Sequence, residues 1–161
     1  MFRDMRRKKQ ALTLEENIEI LQRGTSGVLA LLGDEDYPYA VPLNYVYHDN
    51  KIYFHCAKSG HKLDAVRKHG KASFCIIDHE QLVPEEYTTY FKSVIAFGKI
   101  RIMEDEKEMR KAIEMLAVKY SPTPKDDKAA EREINGAWDR LCMLELTIEH
   151  VSGKQAIELV K

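Results

Sequence analysis

The sequence predicts a mainly β domain, an antiparallel barrel of about six strands with flanking helices. Three observations carry that prediction. Runs rich in β-branched and aromatic residues follow one another with turn signals between them. Two of these runs, 39–48 and 51–57, are separated only by Asp49-Asn50, a hairpin signature. Helical periods fall at the ends of the chain and in gaps between strands, without the regular strand–helix alternation of a parallel sheet.

"TLEENIEILQRG" (13–24) predicts a first helix. Thr13 caps it and Glu16 completes a capping box. Leu14, Ile18 and Leu21 share one face, and Gly24 is a stop. "GVLALLG" (27–33) is a short buried strand ending in the turn-rich "GDEDY". "YAVPLNYVYH" (39–48) alternates as a strand. Pro38 and Pro42 cannot donate to a ladder, which puts part of it at an edge. "KIYFHCA" (51–57) is its hairpin partner, "HKLDAVRKHG" (61–70) a short helix and "KASFCIID" (71–78) a strand. "HEQLVPEEY" (79–87) is expected as a loop. "TTYFKSVIAFGKIRIM" (88–103) is a long strand in which Gly98 marks a bulge or bend. "EDEKEMRKAIEMLAVKY" (104–120) is a helix with early acids and later bases, and Met109, Ile113, Leu116 and Tyr120 form its apolar stripe. "SPTP" (121–124) stops it, a further helix covers "DDKAAEREINGAW", and "LCMLELTIEHVSG" (141–153) is the last strand.

The length of 161 residues corresponds to a single domain, 1–161. Hydrophobic residues at 44% and charged residues at 32% support a core and argue against disorder. A net charge of −1 gives no global field toward nucleic acid or a membrane. The basic run Arg6, Arg7, Lys8, Lys9 is expected as a solvated tail, because no basic face continues it. Cys56, Cys75 and Cys142 lack a C-x-x-C spacing, so neither a disulfide framework nor a zinc ribbon is indicated. No metal is expected from the six histidines, which lack ligand spacing. No apolar run reaches about eighteen residues. The expected setting is a reducing cytoplasm.

Chemistry concentrates at one corner. "HCAKSGHK" (55–62) joins a strand to a helix and carries Lys58, Ser59, Gly60 and Lys62. A helix beginning near His61 exposes unpaired backbone N–H groups and positive dipole charge. The corner is either an anion site, suited to a phosphate, or an ordinary polar turn. Asn44, Tyr45, His55, Tyr90, Lys92 and Ser93 are the flat or hydrogen-bonding residues that could surround a ligand beside it; alternatively they are barrel core and surface. His61 and Asp64 could pair on one helical face. Cys56 is expected as a small core residue.

Taken together and in order, "MFRDMRRKKQ", "GTSGVLALLGDEDYPYAVPLNYVY", "IYFHCAKSGHKLDA", "YFKSVIAFGKIRI" and the late "VSGK" resemble the pyridoxamine 5′-phosphate oxidase-related flavoproteins, especially the 5-nitroimidazole resistance group. The resemblance covers residues 1 to about 155. It implies an FMN-binding split β-barrel, built as a homodimer with flavin at the subunit interface and acting on a small molecule, for instance a nitroaromatic one. On this resemblance Pro42, Leu43, Asn44 and Tyr45 run alongside the isoalloxazine. His55 matches the histidine near the flavin and is the candidate catalytic residue. Ala57, Lys58, Gly60, His61 and Lys62 surround the ribityl phosphate. Tyr90, Lys92 and Ser93 approach from the long strand, from the partner subunit. Lys154 matches the late motif without a physical role. The competing reading is a non-enzymatic flavin- or haem-binding protein on the same barrel. A nucleic-acid module using the basic N-terminus is a further alternative, and true pyridoxamine-phosphate oxidation lacks a recognisable substrate-phosphate site of arginines and tyrosines.

Overall fold

The computed structural model describes residues 1–161. Seven antiparallel strands form one sheet in the order β2-β1-β5-β6-β7-β4-β3. The strands are β1 (Ser26–Leu32), β2 (Pro38–Asn44), β3 (Val46–His48), β4 (Lys51–Ala57), β5 (Lys71–Val83), β6 (Thr88–Ile102) and β7 (Leu141–Gln155). The helices are α1 (Leu14–Arg23), α2 (His61–Lys68), α3 (Glu106–Tyr120) and α4 (Ala129–Ala137).

The strand order contains the constraint that shapes the molecule. β2 and β3 are the two edges of the sheet, yet only Tyr45 separates them in sequence. A flat seven-stranded sheet would hold its edges roughly 29 Å apart at about 4.8 Å per step. Asn44 and Val46 are two peptide units apart and span at most about 7 Å. The sheet is therefore curled until its edges meet. The expected single strand 39–48 is thus two strands on opposite edges, because Tyr45 leaves one ladder to enter the other.

Tyr45 is fully buried. Its peptide belongs to neither ladder, so side chains supply its partners. Its N–H donates to Tyr120 Oη at 2.9 Å, and its carbonyl accepts from Tyr120 Oη at 2.6 Å and Lys119 Nζ at 3.1 Å. Its phenol donates to the Leu21 carbonyl at 2.7 Å. That carbonyl lies in the last turn of α1, where no intrahelical donor remains.

The barrel interior is one apolar cluster in which Phe54, Phe74 and Tyr45 meet edge to face. A second cluster sits outside, where Ala112 and Leu116 of α3 cover Val46, Tyr53, Leu141 and Met143. β4 and β7 are therefore buried on both faces.

Local signals match the sequence at several points. Thr13 and Glu16 form the capping box. The edge strand β2 carries both prolines. Asp49 and Asn50 adopt left-handed φ of 47° and 62°, as a tight hairpin requires. The β6–β7 register shifts between Phe97 and Gly98. Three expectations need correction. The buried face of α1 is Asn17, Ile20 and Leu21, while Leu14 is exposed. Segment 79–87 is not a loop: β5 runs on to Val83 and pairs with β6 as an arm that mixes polar and apolar residues, with Leu82 exposed. The strand count is seven, since residues 39–48 divide. The basic run Arg6, Arg7, Lys8 and Lys9 is exposed, as expected, while the segments around it dock, with Phe2 stacked on His150 at 4.8 Å and Ala11 bridged to Lys154.

Tyr45→Phe leaves the buried Leu21 carbonyl without a donor. The expected cost is about 1–3 kcal/mol, read as a lower urea midpoint at unchanged slope. An unmoved midpoint would show that the phenol contributes nothing to closure.

Candidate functional site

β4 ends at Ala57 and α2 begins at His61. The chain turns at Gly60, whose φ of 132° and ψ of 174° fall where only glycine is comfortable. No side chain caps α2. Its first backbone N–H groups therefore face outward with the positive end of the helix dipole. Lys58 and Ser59 are exposed and Lys62 is half-buried beside them. The His61 ring takes no part. Its Nε2 accepts from the Asp34 N–H at 3.2 Å, and the ring stacks on Tyr39 at a centroid distance of 4.0 Å. His61 thus offers its backbone to the corner and its side chain to the β1–β2 turn. The expected His61–Asp64 pair does not form, since Asp64 lies 3.5 Å from Arg67 instead.

A cleft of about 410 Å³ opens between the barrel, α3 and α4. Two sequence-predicted residues, Asn44 and His55, line it together with Leu116, Tyr120, Glu133 and Leu141. Strand alternation explains the placement of His55. Ile52, Phe54 and Cys56 point into the barrel, while Tyr53 and His55 point out toward the helical layer. His55 makes no hydrogen bond within the protein and is exposed to the cleft. Asn44 Nδ2 donates to the Thr25 carbonyl at 2.9 Å, the same carbonyl that accepts from the Tyr120 phenol. Three residues of extended chain, about 10 Å, separate His55 from Lys58.

The remaining predicted residues divide. Pro42 faces outward and Leu43 packs on the core. Tyr45 does not reach a ligand with its ring, because closing the barrel buries it completely. Tyr90, Lys92 and Ser93 lie on β6 and do not line the cleft. Tyr90 Oη donates to Glu86 at 2.6 Å, and that bond holds its phenol above the ordinary tyrosine range. Ser93 pairs with Ile77 and Lys154, and the Lys154 ammonium sits 5.8 Å from the Phe91 ring centroid. Between Ser93 and Asn44 the outer sheet face carries the row Pro42–Val28–Cys75–Ile95, with Ile77 beside it. Ile77 is 64% exposed, Val28 38% and Ile95 37%. Sequence reasoning missed Tyr120 and Glu133 as cleft residues; their helical periods do not say which strand they cover.

The family model described as pyridoxamine 5′-phosphate oxidase matches residues 13–155. Among solved structures, a candidate 5-nitroimidazole antibiotic resistance protein from Bacteroides thetaiotaomicron is similar at TM-score 0.73 and 18% identity, over 90% of this chain and 86% of that one. A FAD-binding protein from Mesorhizobium loti is similar at TM-score 0.66 and 25% identity, over 91% and 97%. A FAD and heme binding protein from Mycobacterium smegmatis is similar at TM-score 0.71 and 16% identity, over 92% and 74%. No curated protein matches the chain. The split-barrel fold expected from the sequence is the fold these structures share.

A Cβ added at Gly60 meets no atom within 4 Å, so Gly60→Ala isolates backbone strain from crowding. It is expected to cost about 1–3 kcal/mol and to fray α2 at its N-terminus, measured by amide hydrogen exchange at 61–64. Unchanged exchange there would show that another conformation serves the corner equally well.

Proposed function

The chain belongs to the pyridoxamine 5′-phosphate oxidase family, and from that premise we propose that it is an FMN-dependent oxidoreductase of a small molecule, working as a homodimer. The observation that carries this reading is the pairing of an uncapped helix N-terminus, flanked by Lys58 and Lys62, with the His55 cleft about 10 Å away along β4. That spacing suits a phosphate joined to a ring by a short polyol chain.

The residues fit such a group. Backbone N–H groups at the start of α2 and the two lysine ammoniums satisfy a phosphate dianion. Ala57 and Gly60 leave the approach free of bulk. One helix N-terminus and two lysines match a single phosphate, which favours FMN over a dinucleotide. FMN, when bound, supplies the electron-transfer chemistry. The chain's own part is to hold and orient. Asn44 and the apolar wall of Leu116 and Leu141 position a ring and exclude water. His55 is free to donate a proton to a substrate atom, the role we assign it. An exposed apolar row on the outer face of β2, β1, β5 and β6 supports a second copy docked there. That copy would bring its own Tyr90, Lys92 and Ser93 beside the site. No helix is long and apolar enough to cross a membrane. Three free thiols, with Cys56 directly opposite Cys142, fit a reducing compartment such as the cytoplasm.

The similarity to a FAD and heme binding protein keeps a second reading in view, a flavin or haem binder without turnover. Protein purified without added cofactor is expected to show flavin absorption, to release FMN at about one per subunit and to elute from a sizing column as two chains. A colourless monomer that fails to bind added FMN would overturn the proposal. His55→Ala is expected to keep FMN and to slow turnover of a reducible acceptor about 100-fold or more. Full activity in that variant removes His55 from catalysis, and no turnover with any nicotinamide donor favours the binder.

A further inference from the structure

We propose that Cys56 and Cys142 are a reversible oxidation site, closing to a disulfide under peroxide, and that this closure loosens the flavin-phosphate corner next to it. The second half rests on reading the α2 corner as that phosphate site; the first half does not.

The two cysteines face each other across the β4–β7 ladder as a direct pair. Opposite residues of an antiparallel pair share one face of the sheet. Here that face is the barrel interior, where Cys142 belongs to the apolar cluster and Cys56 packs against it. The Cα atoms of such a pair stand about 4.5–5.5 Å apart, within the range of about 4.4–6.8 Å that a disulfide spans. The Cβ atoms stand about 4.5–5.5 Å apart, against about 3.8 Å in a disulfide. Closing the bond therefore draws the two strands together by roughly 1 Å. A bridge made under that strain is readily reduced again. Cys75 has no such partner, since Val28 and Ile95 lie across from it.

The pair sits where the ladder can give. Only Ala57–Leu141 lies beyond it before β4 leaves for the corner. The β6–β7 ladder ends at Ile102–Leu144, so β6 does not brace Cys142 from the other side. Movement of β4 at Cys56 passes through Ala57 to Lys58, Ser59 and Gly60. Those residues lead into α2, whose uncapped N–H groups face the corner.

Access to the two sulfurs is graded. Cys56 is half-buried and Cys142 is buried. Burial, and then Cys142 beside it, push the Cys56 thiol up to about 11, with Lys62 pulling the other way. The pair thus stays reduced under mild conditions and answers only to a sustained oxidant. The more accessible Cys56 sulfur attacks hydrogen peroxide, becomes a sulfenic acid and releases one water. The Cys142 sulfur then displaces the sulfenic oxygen, which leaves with the second thiol proton as another water. Two thiols and one peroxide give one disulfide and two waters.

The test treats the full chain with hydrogen peroxide, quenches with catalase, denatures the protein and labels its remaining thiols with a maleimide. Cys75 alone should take the label, where the untreated chain labels all three cysteines. Peptide mapping should join Cys56 to Cys142, and dithiothreitol should restore both thiols. The same oxidation is expected to weaken FMN binding about ten-fold, the worth of one hydrogen bond to a charged group, and dithiothreitol to reverse the loss. Cys56→Ser should hold its FMN affinity through peroxide treatment. Full labelling after peroxide, a sulfinic acid at Cys56 in place of the bridge, or a bridge between two chains overturns the proposal. A bridge that leaves FMN affinity unchanged overturns its second half. A reduced protein that takes up no FMN sinks the oxidoreductase reading instead. The coupling is then judged by amide exchange at 61–64, which should quicken on oxidation; unchanged exchange overturns it.

Discussion

One residue, Tyr45, carries the chain from one edge of the sheet to the other, and the rest of the molecule is arranged around that crossing. A peptide unit between two ladders has a donor and an acceptor with no strand to serve them. Here α3 serves them. Tyr120 and Lys119, the last two residues of α3, reach the Tyr45 peptide, and Lys119 also donates to the Gly24 carbonyl. The Lys119 ammonium lies 4.1 Å from the Tyr45 ring centroid. Partial burial pulls its pKa down, and carbonyls and a ring face stand where a carboxylate would be usual. Closing the barrel thus requires a helix in one particular place.

That helix then creates the site. With its C-terminal end tied to the seam, α3 must lie across the outer face of β3, β4 and β7. Those strands accordingly carry apolar residues on both faces, among them Tyr53 and Met143 on the outside. The cover is incomplete where the last turn of α3 and α4 diverge over β4, and His55 stands in that opening. A histidine on a doubly covered strand would normally need a partner for each ring nitrogen. His55 has none because the cleft gives it room. Closure, cover and cleft are successive consequences of one topological step.

Much of this was legible in the sequence, and the failures have a common cause. Signals confined to neighbouring residues survived: the Thr13–Glu16 capping box, the edge prolines, the Asp49-Asn50 turn and the Gly98 bulge. The break at Tyr45 left no local mark, because alternation runs unbroken through 39–48 while the partner strand changes. The 79–83 half of the arm resembled a loop because a strand segment that is exposed along most of its length needs no apolar alternation. For the site, chemistry near 58–62 and the two cleft residues Asn44 and His55 were visible as residue types. The turning of His61 toward Tyr39 and Asp34 was not, and neither was the full burial of Tyr45. Both depend on contacts between segments 20 or more residues apart in the chain, at positions where a local pattern has no term for the partner.

The two halves of the candidate site differ in polarity, and β4 is the element that holds them in fixed relation. At its C-terminal end, unpaired N–H groups and two ammoniums concentrate donors and positive charge. Three residues back, around His55, the lining is mainly apolar and its one charged side chain is the Glu133 carboxylate. A strand paired within a sheet is about as rigid a spacer as a protein offers, and β4 is in register with β7 over seven consecutive pairs, with hydrogen bonds at alternate ones. A bound molecule with an anionic tail and a largely apolar head then has one favourable direction along β4. Reversing it would place the tail beside Glu133 and strand the α2 donors against carbon. Orientation in this site therefore comes from the strand-to-helix corner and the placement of charge on either side of it, without any loop closing over the ligand.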